Sequence, residues 1–140
     1  MQPAPYHATC VAVGDKGILI TGAAGTGKST LALQLMAYGA QLVADDRVLL
    51  KADGNALIAS CPPTLQGLIE ARNVGILNAD PAPQAQIHLV VDLDTSEPDR
   101  IPPRREVTLL GCDIPLLHGA DTIHLAPAIL QWMRAGRSER

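Results

Sequence analysis

Short apolar runs alternate with turn-forming clusters along most of the chain, a pattern typical of a strand-rich protein. Thr9–Val13 and Gly17–Thr21 are rich in β-branched side chains and flank a turn cluster at 14–17, so they predict a hairpin. From Lys28 to Tyr38, apolar residues recur at helical spacing, and Gly39 follows where helices often end. The first part of the chain is therefore predicted to run strand, glycine-rich loop, helix.

The same alternation continues towards the C-terminus. The runs at 41–44 and 48–51 predict a hairpin, and a second hairpin is predicted around Gly111, from 107–110 and 114–117. The polar, proline-containing stretch Thr95–Arg105 is expected to be an exposed loop. Pro127–Arg134 predicts a closing helix. The other strand-like runs are Ala56–Ser60, Ile69–Leu77 and Ile87–Leu93.

Composition narrows the class of protein. A chain of 140 residues with 47% hydrophobic and 18% charged residues is expected to form a single folded domain over 1–140. A net charge of −3 and 2% aromatic residues give neither a basic field nor stacking platforms, so no nucleic-acid partner is expected. No apolar stretch is long enough for a membrane helix, and Met1–Pro5 lacks the features of a signal peptide. We therefore expect no membrane association and a cytoplasmic location, where Cys10, Cys61 and Cys112 would be reduced thiols.

The segment Gly22-Ala23-Ala24-Gly25-Thr26-Gly27-Lys28-Ser29 matches the phosphate-binding pattern G-x-x-x-x-G-K-[ST] in full. It lies between a predicted strand and a predicted helix, which is the context that the motif requires. Glycines let backbone N–H groups surround phosphate oxygens, the lysine adds a point charge, and the serine hydroxyl binds Mg²⁺. Residues 22–29 together with Thr30 are therefore the predicted binding site for ATP and Mg²⁺. The alternative is a glycine-rich turn with a solvated lysine.

Two acidic pairs follow apolar runs, and either could supply a metal-binding carboxylate. Asp45 and Asp46 come soon after the predicted helix, so their strand is expected to lie beside the phosphate site. Because neighbouring residues on a strand point to opposite faces, one of the two is expected to face the phosphates. The alternatives are an exposed acidic turn paired with Arg47, and a metal role for Asp92 and Asp94 instead.

The segment 17–22, the phosphate loop and the stretch 38–48 together resemble the catalytic domain of bacterial HPr kinase/phosphorylase. Residues 68–77 resemble its second signature, with Ala71 and Asn73 departing from it, and the resemblance covers roughly 7–95. It implies an α/β P-loop nucleotide-binding domain of the PEP-carboxykinase-like type, a strand-rich mixed sheet with a P-loop helix and a C-terminal helix. It also suggests the short alphaproteobacterial form, in which the N-terminal domain of longer members is absent.

The resemblance assigns roles by position. Asp45 matches the general base towards the acceptor serine and Asp46 its neighbour, with Lys28 and His7 completing the catalytic group. Glu70 matches a carboxylate at the metal, beside Ser29, and Arg72 the neighbouring arginine. For His7, a solvated N-terminal histidine is the alternative. Arg104 and Arg105 either offer charge to a phosphate or to HPr, or form a solvated basic loop.

The function implied is ATP-dependent phosphorylation of a serine on the phosphocarrier HPr or an HPr-like protein, with reverse phosphorolysis to pyrophosphate in many members. A homohexamer is also implied. The acceptor is expected at Thr95–Arg105 and at the C-terminal helix with Trp132. The alternatives are a P-loop kinase for a small-molecule hydroxyl and a regulatory module that binds ATP without transferring phosphate.

Overall fold

A computed structural model describes residues 5 to 139 and shows a mixed α/β fold. The helices are α1 (Lys28–Ala37) and α2 (Leu125–Ala135), and a single 3₁₀ turn covers Pro63–Leu65. The strands are β1 (Ala8–Val13), β2 (Lys16–Thr21), β3 (Gln41–Ala44), β4 (Leu49–Asp53), β5 (Ala56–Ser60), β6 (Leu68–Ala71), β7 (Gly75–Asn78), β8 (Gln84–Ser96), β9 (Glu106–Leu109) and β10 (Cys112–Ala120).

The main sheet has eight strands, and its continuous path runs β3-β1-β2-β8-β10-β9. β1 is antiparallel to β2 and to β3, whereas β8 lies parallel to β2 and to β10. The β4–β5 hairpin joins through β5, which is antiparallel to the first residues of β8. β6 and β7 form a separate two-stranded sheet. The strand-rich mixed sheet with two helices confirms the predicted fold class.

Hydrophobic cores cover both faces of the main sheet. On β2, Ile18 and Ile20 pack with the residues of α1 and α2, while Leu19 packs on the opposite side with β4, β5 and β10. All three are fully buried, because successive side chains of a strand alternate between faces and both faces are covered. β2 is therefore a rigid support for the loop that begins at its carboxyl end.

The three cysteines are free thiols in this fold. Cys10 and Cys112 are buried and Cys61 is partly buried. Burial raises the pKa of the Cys10 thiol well above its ordinary value, so this group stays protonated and chemically inert.

One predicted hairpin and one predicted strand were wrong, and both errors come from turns. β3 does not pair with β4 but with β1, and β4 instead forms a hairpin with β5 through the two-residue turn Gly54-Asn55. A two-residue turn containing glycine closes a hairpin more readily than the three polar residues after β3. The run Ile69–Leu77 is two strands, because Asn73 and Gly75 have positive φ angles of 67° and 141° and reverse the chain.

The other element predictions are confirmed. The hairpins β1–β2 and β9–β10 form where the patterns place them, and both helices are present. At ten and eleven residues, α1 and α2 are too short to cross a bilayer, and the part of the chain that the structure describes has no longer helix. The signal-peptide interpretation concerned residues 1–5, of which 1–4 lie outside the described residues. The cytoplasmic location stays a prediction.

The loop after β8 is held by ion pairs. Arg105 donates two hydrogen bonds to the Glu97 carboxylate, at 2.9 and 3.0 Å, and Arg104 donates to Glu139 at 3.0 Å. Arg137 donates to the Pro102 carbonyl oxygen. The hydrogen bond from Arg105 lowers the pKa of Glu97, whose side chain is only 9% exposed. These contacts connect the two ends of the predicted exposed loop to each other and connect the loop to the C-terminal residues.

Glu97→Gln is expected to lower the melting temperature at pH 7, since it removes the charge that Arg105 contacts. A carboxyl group whose pKa is lowered in the folded state stabilises it above the unfolded value of about 4.3, and this contribution disappears as pH falls through the folded pKa. Thermal unfolding at pH 7 and below pH ~3 checks this. Glu106→Gln, at an exposed position on β9, is the matched control. A difference from wild type that persists at the acidic pH would contradict the pairing.

Candidate active site

The phosphate loop connects β2 to α1 and depends on glycine at two positions. Gly27 has a φ angle of 97° directly before the helix, a conformation that other residues rarely adopt. A Cβ atom on Gly22 would lie 2.6 Å from the Thr26 hydroxyl. No acidic side chain lies in the first turn of α1, so the helix presents its free N–H groups and the positive end of its dipole to the loop. This geometry is suited to an anion.

The loop is stiffened from within by Lys28 and Thr26. Lys28 is only 7% exposed, and its ammonium group donates to the carbonyl oxygens of Gly22 at 2.8 Å and Ala23 at 3.1 Å. The Thr26 hydroxyl donates to the Ala23 carbonyl oxygen at 2.8 Å. A buried charge needs such partners, and here they hold the lysine at the loop.

Asp94 braces the loop from the neighbouring strand. Its carboxylate accepts a hydrogen bond from the Ala23 N–H at 3.0 Å, while Asp92 accepts from the Asp94 N–H at 2.8 Å and from the Thr95 hydroxyl at 2.9 Å. Neither aspartate lines the cavity described next. Their contacts give no support to the metal role considered for this pair, because the two carboxylates accept hydrogen bonds from backbone and hydroxyl donors at the end of β8.

A cavity of about 280 Å³ opens in front of the loop and contains all of the predicted catalytic and metal-binding side chains. Six of the nine residues predicted to bind the nucleotide line this cavity. The other three, Gly22, Ala23 and Thr26, take part in the hydrogen bonds within the loop. The complete lining is His7, Thr9, Ala24, Gly25, Gly27, Lys28, Ser29, Thr30, Asp45, Asp46, Glu70 and Arg72.

Asp45 lines the cavity and its carboxylate accepts three hydrogen bonds. The Ser29 hydroxyl donates to it at 2.7 Å, the Thr9 hydroxyl at 3.0 Å and the Glu70 backbone N–H at 3.0 Å. One carboxylate thus connects α1, β1 and β6. Sequence reasoning missed Thr9, a fully buried polar residue. A hydroxyl within an otherwise apolar strand is the signal that could have identified it.

Asp46 lies beyond the end of β3, so the assumption of a regular strand through the acidic pair was wrong. The strand ends at Ala44, and Asp46 has a left-handed backbone with a φ angle of 69°. Both carboxylates consequently line the same cavity. The His7 Nε2 atom lies 2.7 Å from Asp46 Oδ1. The pairing of Asp46 with Arg47, considered as the alternative, is not formed in residues 5–139.

A main-chain bridge places His7 beside Asp46. Tyr6 and Val48 exchange two backbone hydrogen bonds, at 2.8 and 3.0 Å, which align the segment before β1 with the segment after β3. Tyr6 directly precedes His7 and Val48 lies two residues after Asp46, so the bridge fixes the main chain close to both side chains.

The oxygen donors of the cavity suit a divalent cation such as Mg²⁺. The Ser29 hydroxyl and the Asp45 carboxylate are 2.7 Å apart, and the Glu70 side chain lines the same space. Mg²⁺ takes hard oxygen ligands and is usually held by one or two carboxylates together with phosphate oxygens. These residues therefore fit the ion that the phosphate loop implies.

Comparison with known proteins agrees with the family resemblance found in the sequence. A family model described as the HPr Serine kinase C-terminal domain matches residues 2–118. The chain belongs to this family. The HPr kinase/phosphorylase of Limosilactobacillus reuteri (strain DSM 20016) is 40% identical over 101 residues, which cover 66% of this chain and 32% of that protein. HPr kinase/phosphorylase 1 of Oceanobacillus iheyensis is 32% identical over 140 residues, covering 94% and 43%.

The fold of this HPr serine kinase family member also matches a solved structure. The Hpr(Ser) kinase/phosphatase from Coxiella burnetii superposes with a TM-score of 0.77 at 30% identity, over 94% of this chain and 89% of that one. The predicted family is therefore confirmed. The chain spans between 32% and 43% of the length of the two curated relatives described above.

Arg104 and Arg105 form ion pairs away from the phosphate-loop cavity. Arg105 contacts Glu97 and Arg104 contacts Glu139, and neither lines the cavity. Trp132 packs against the core cluster that contains α1 and α2. A direct role for these side chains at the phosphates therefore has no support from their contacts.

Asp94→Ala is expected to weaken Mg·ATP binding about three- to tenfold, the effect of losing one hydrogen bond that positions the phosphate loop. Asp94→Asn is the matched control, because its amide oxygen can still accept from the Ala23 N–H. Calorimetric titration of the three proteins with Mg·ATP provides the measurement. Equal affinities for wild type and Asp94→Ala would show that the loop needs no brace from β8.

Proposed function

We propose that this chain is an ATP-dependent serine kinase acting on HPr or an HPr-like phosphocarrier protein. One observation carries the proposal: Lys28 and Ser29 of the phosphate loop line a single cavity together with Asp45 and Asp46. Donors for phosphate and acceptors for a hydroxyl proton are the two requirements of phosphoryl transfer. The family and the names of its characterised members support the choice of HPr as the acceptor.

The phosphate loop binds the nucleotide in this reaction. The N–H groups around Gly25 and Gly27 and at the start of α1 point the positive end of the helix dipole at the β- and γ-phosphates. Lys28 then exchanges its carbonyl partners for phosphate oxygens and stabilises charge on the transferring group. Mg²⁺ would be held by Ser29 and a carboxylate, and it would supply further positive charge to stabilise the transferring group.

The hydrogen bonds favour a particular division of roles between the two aspartates. Asp45 already accepts three donors, one of them the Ser29 hydroxyl, so it is placed on the metal side of the cavity with Glu70. The Asp46 carboxylate has one ion-pair partner within residues 5–139, His7, and the side chain is 62% exposed. We therefore assign the general base to Asp46, supported by His7, instead of to Asp45 as the resemblance implied.

The transfer follows from this arrangement. The serine oxygen forms a bond to the γ-phosphorus while the bond from that phosphorus to the β,γ-bridging oxygen breaks, and ADP departs with that oxygen. The hydroxyl proton passes to the Asp46 carboxylate. His7 steadies the carboxylate through its contact of 2.7 Å and, when protonated, balances its charge.

The reverse reaction uses the same groups. An oxygen of inorganic phosphate would form a bond to the phosphorus of phosphoserine while the bond from that phosphorus to the serine oxygen breaks, which yields pyrophosphate. A protonated Asp46 would give its proton to the departing serine oxygen, in keeping with the phosphorylase activity named for the relatives. Formation of pyrophosphate from phosphorylated HPr and inorganic phosphate tests this part separately.

A homohexamer, implied by the resemblance, is tested by light scattering of the purified chain.

Incubation with γ-labelled ATP, Mg²⁺ and HPr is expected to place the label on a serine of HPr. Lys28→Ala should abolish the transfer and the tight binding of Mg·ATP, since it removes the charge that faces the phosphates. Lys16→Ala is unsuitable as a control because Lys16 donates to the Met133 carbonyl oxygen; Lys51→Ala, at an exposed position, is suitable. Label on a metabolite, or nucleotide binding without transfer, would contradict the proposal.

Separate substitutions of the two aspartates test the division of roles. Asp46→Asn should keep Mg·ATP affinity and lose transfer by about 10²-fold or more, the lower range for a positioned general base. Asp45→Asn should weaken Mg²⁺-dependent nucleotide binding first. Calorimetry and transfer rates on the same preparations give both readings. If Asp45→Asn kept its affinity and lost transfer while Asp46→Asn stayed active, the base would be Asp45.

A further inference from the structure

A second cavity of about 260 Å³ adjoins the site and is lined by Pro5, Tyr6, His7, Asp46 and Arg47. It shares two lining residues with the phosphate-loop cavity, the histidine and the aspartate of the catalytic pair. The proposed general base therefore belongs to both spaces. One of them contains the phosphate-binding groups and the other contains none of them.

The walls of the second cavity are fixed by the fold. The two hydrogen bonds between Tyr6 and Val48 hold the main chain on both sides of it, and the Val48 side chain is fully buried. The Tyr6 ring is 36% exposed, so a fixed backbone presents an accessible aromatic surface. Such a surface binds a partner at low entropic cost.

Arg47 adds an uncommitted positive charge to this cavity. Its side chain is exposed, and within residues 5–139 no hydrogen bond or salt bridge to it is formed. The ion pair of Asp46 is with His7, so the guanidinium is free for another acceptor. Its donors suit a carboxylate or a main-chain carbonyl oxygen.

The geometry points to the second cavity as the acceptor subsite, in which the protein segment around the target serine lies on Tyr6 and Arg47. This inference rests on the proposed function. In-line transfer requires the attacking hydroxyl and the leaving oxygen on opposite sides of the γ-phosphorus. A serine that enters from the second cavity comes within reach of the Asp46 carboxylate, because that side chain lines both cavities. Tyr6 and Arg47 are then specificity-determining residues that touch the acceptor and not the nucleotide.

Arg47→Ala is expected to raise the KM for HPr about tenfold, the effect of losing one hydrogen bond to a charged group. The kcat and the KM for Mg·ATP should stay at the wild-type values, because Arg47 does not line the phosphate-loop cavity. The KM of Arg47→Lys for HPr should lie between those of the wild type and Arg47→Ala, since lysine keeps the charge but loses the planar guanidinium fork. Lys51→Ala is the matched control that removes the same charge from an exposed position on β4.

The outcomes separate this inference from the function itself. An acceptor KM that is unchanged in Arg47→Ala, or raised equally in Lys51→Ala, would overturn the subsite while wild-type transfer to HPr continued. A rise in the KM for Mg·ATP in place of the KM for HPr would also overturn it. Absence of transfer by the wild-type chain would reject the proposed function, and the subsite with it.

Discussion

The carboxylate of Asp45 joins three parts of the chain that no ladder of strand pairing connects. Its partners are a hydroxyl on α1, a hydroxyl on β1 and a backbone N–H on β6. The β6–β7 sheet depends on such contacts, because two strands alone are marginally stable and this pair lies outside the main sheet. The hydrogen bond from the Glu70 N–H to Asp45 and the burial of Ile69 in the core that contains α1 together place Glu70 and Arg72 at the cavity.

Charge balance explains why the cavity is organised around a ligand. Asp45, Asp46 and Glu70 share a space with the cations Lys28 and Arg72. Carboxylates this close repel one another unless a cation or a proton lies between them. Lys28 donates to loop carbonyl oxygens and Asp45 accepts from hydroxyl and amide donors, so both charges are held in position. Such preorganisation limits the reorganisation needed during transfer.

The phosphate-binding part of the site and the proposed acceptor part are held by different elements of the fold. The phosphate side is continuous with β2, whose residues are buried on both faces, and is braced by Asp94 from β8. The proposed acceptor side is formed by the segments before β1 and after β3, which meet in the isolated bridge between Tyr6 and Val48. A binding surface on short segments can change between related proteins without disturbing the phosphate loop, because loops tolerate change better than the elements that they connect.

The sequence by itself determined the phosphate loop, α1 and the β1–β2 hairpin, because each depends on residues close together in the chain. Glycine spacing, a lysine before a helix and a two-residue turn are local constraints, and they act whatever the rest of the fold does. The acidic pair and Glu70 could also be selected from the sequence, through the resemblance of their surroundings to a family. The nearly complete predicted set lies in one cavity for these reasons.

Only the tertiary structure decided how distant segments pair and which atoms meet. That β3 pairs with β1, that His7 contacts Asp46 and that Thr9 donates to Asp45 are all long-range outcomes. Alternative pairings of short strands differ little in local preference, so the choice is made by burial of the whole sheet between two cores. The left-handed turn at Asp46, which brings both carboxylates into one cavity, follows from that closure and has no marker in the sequence.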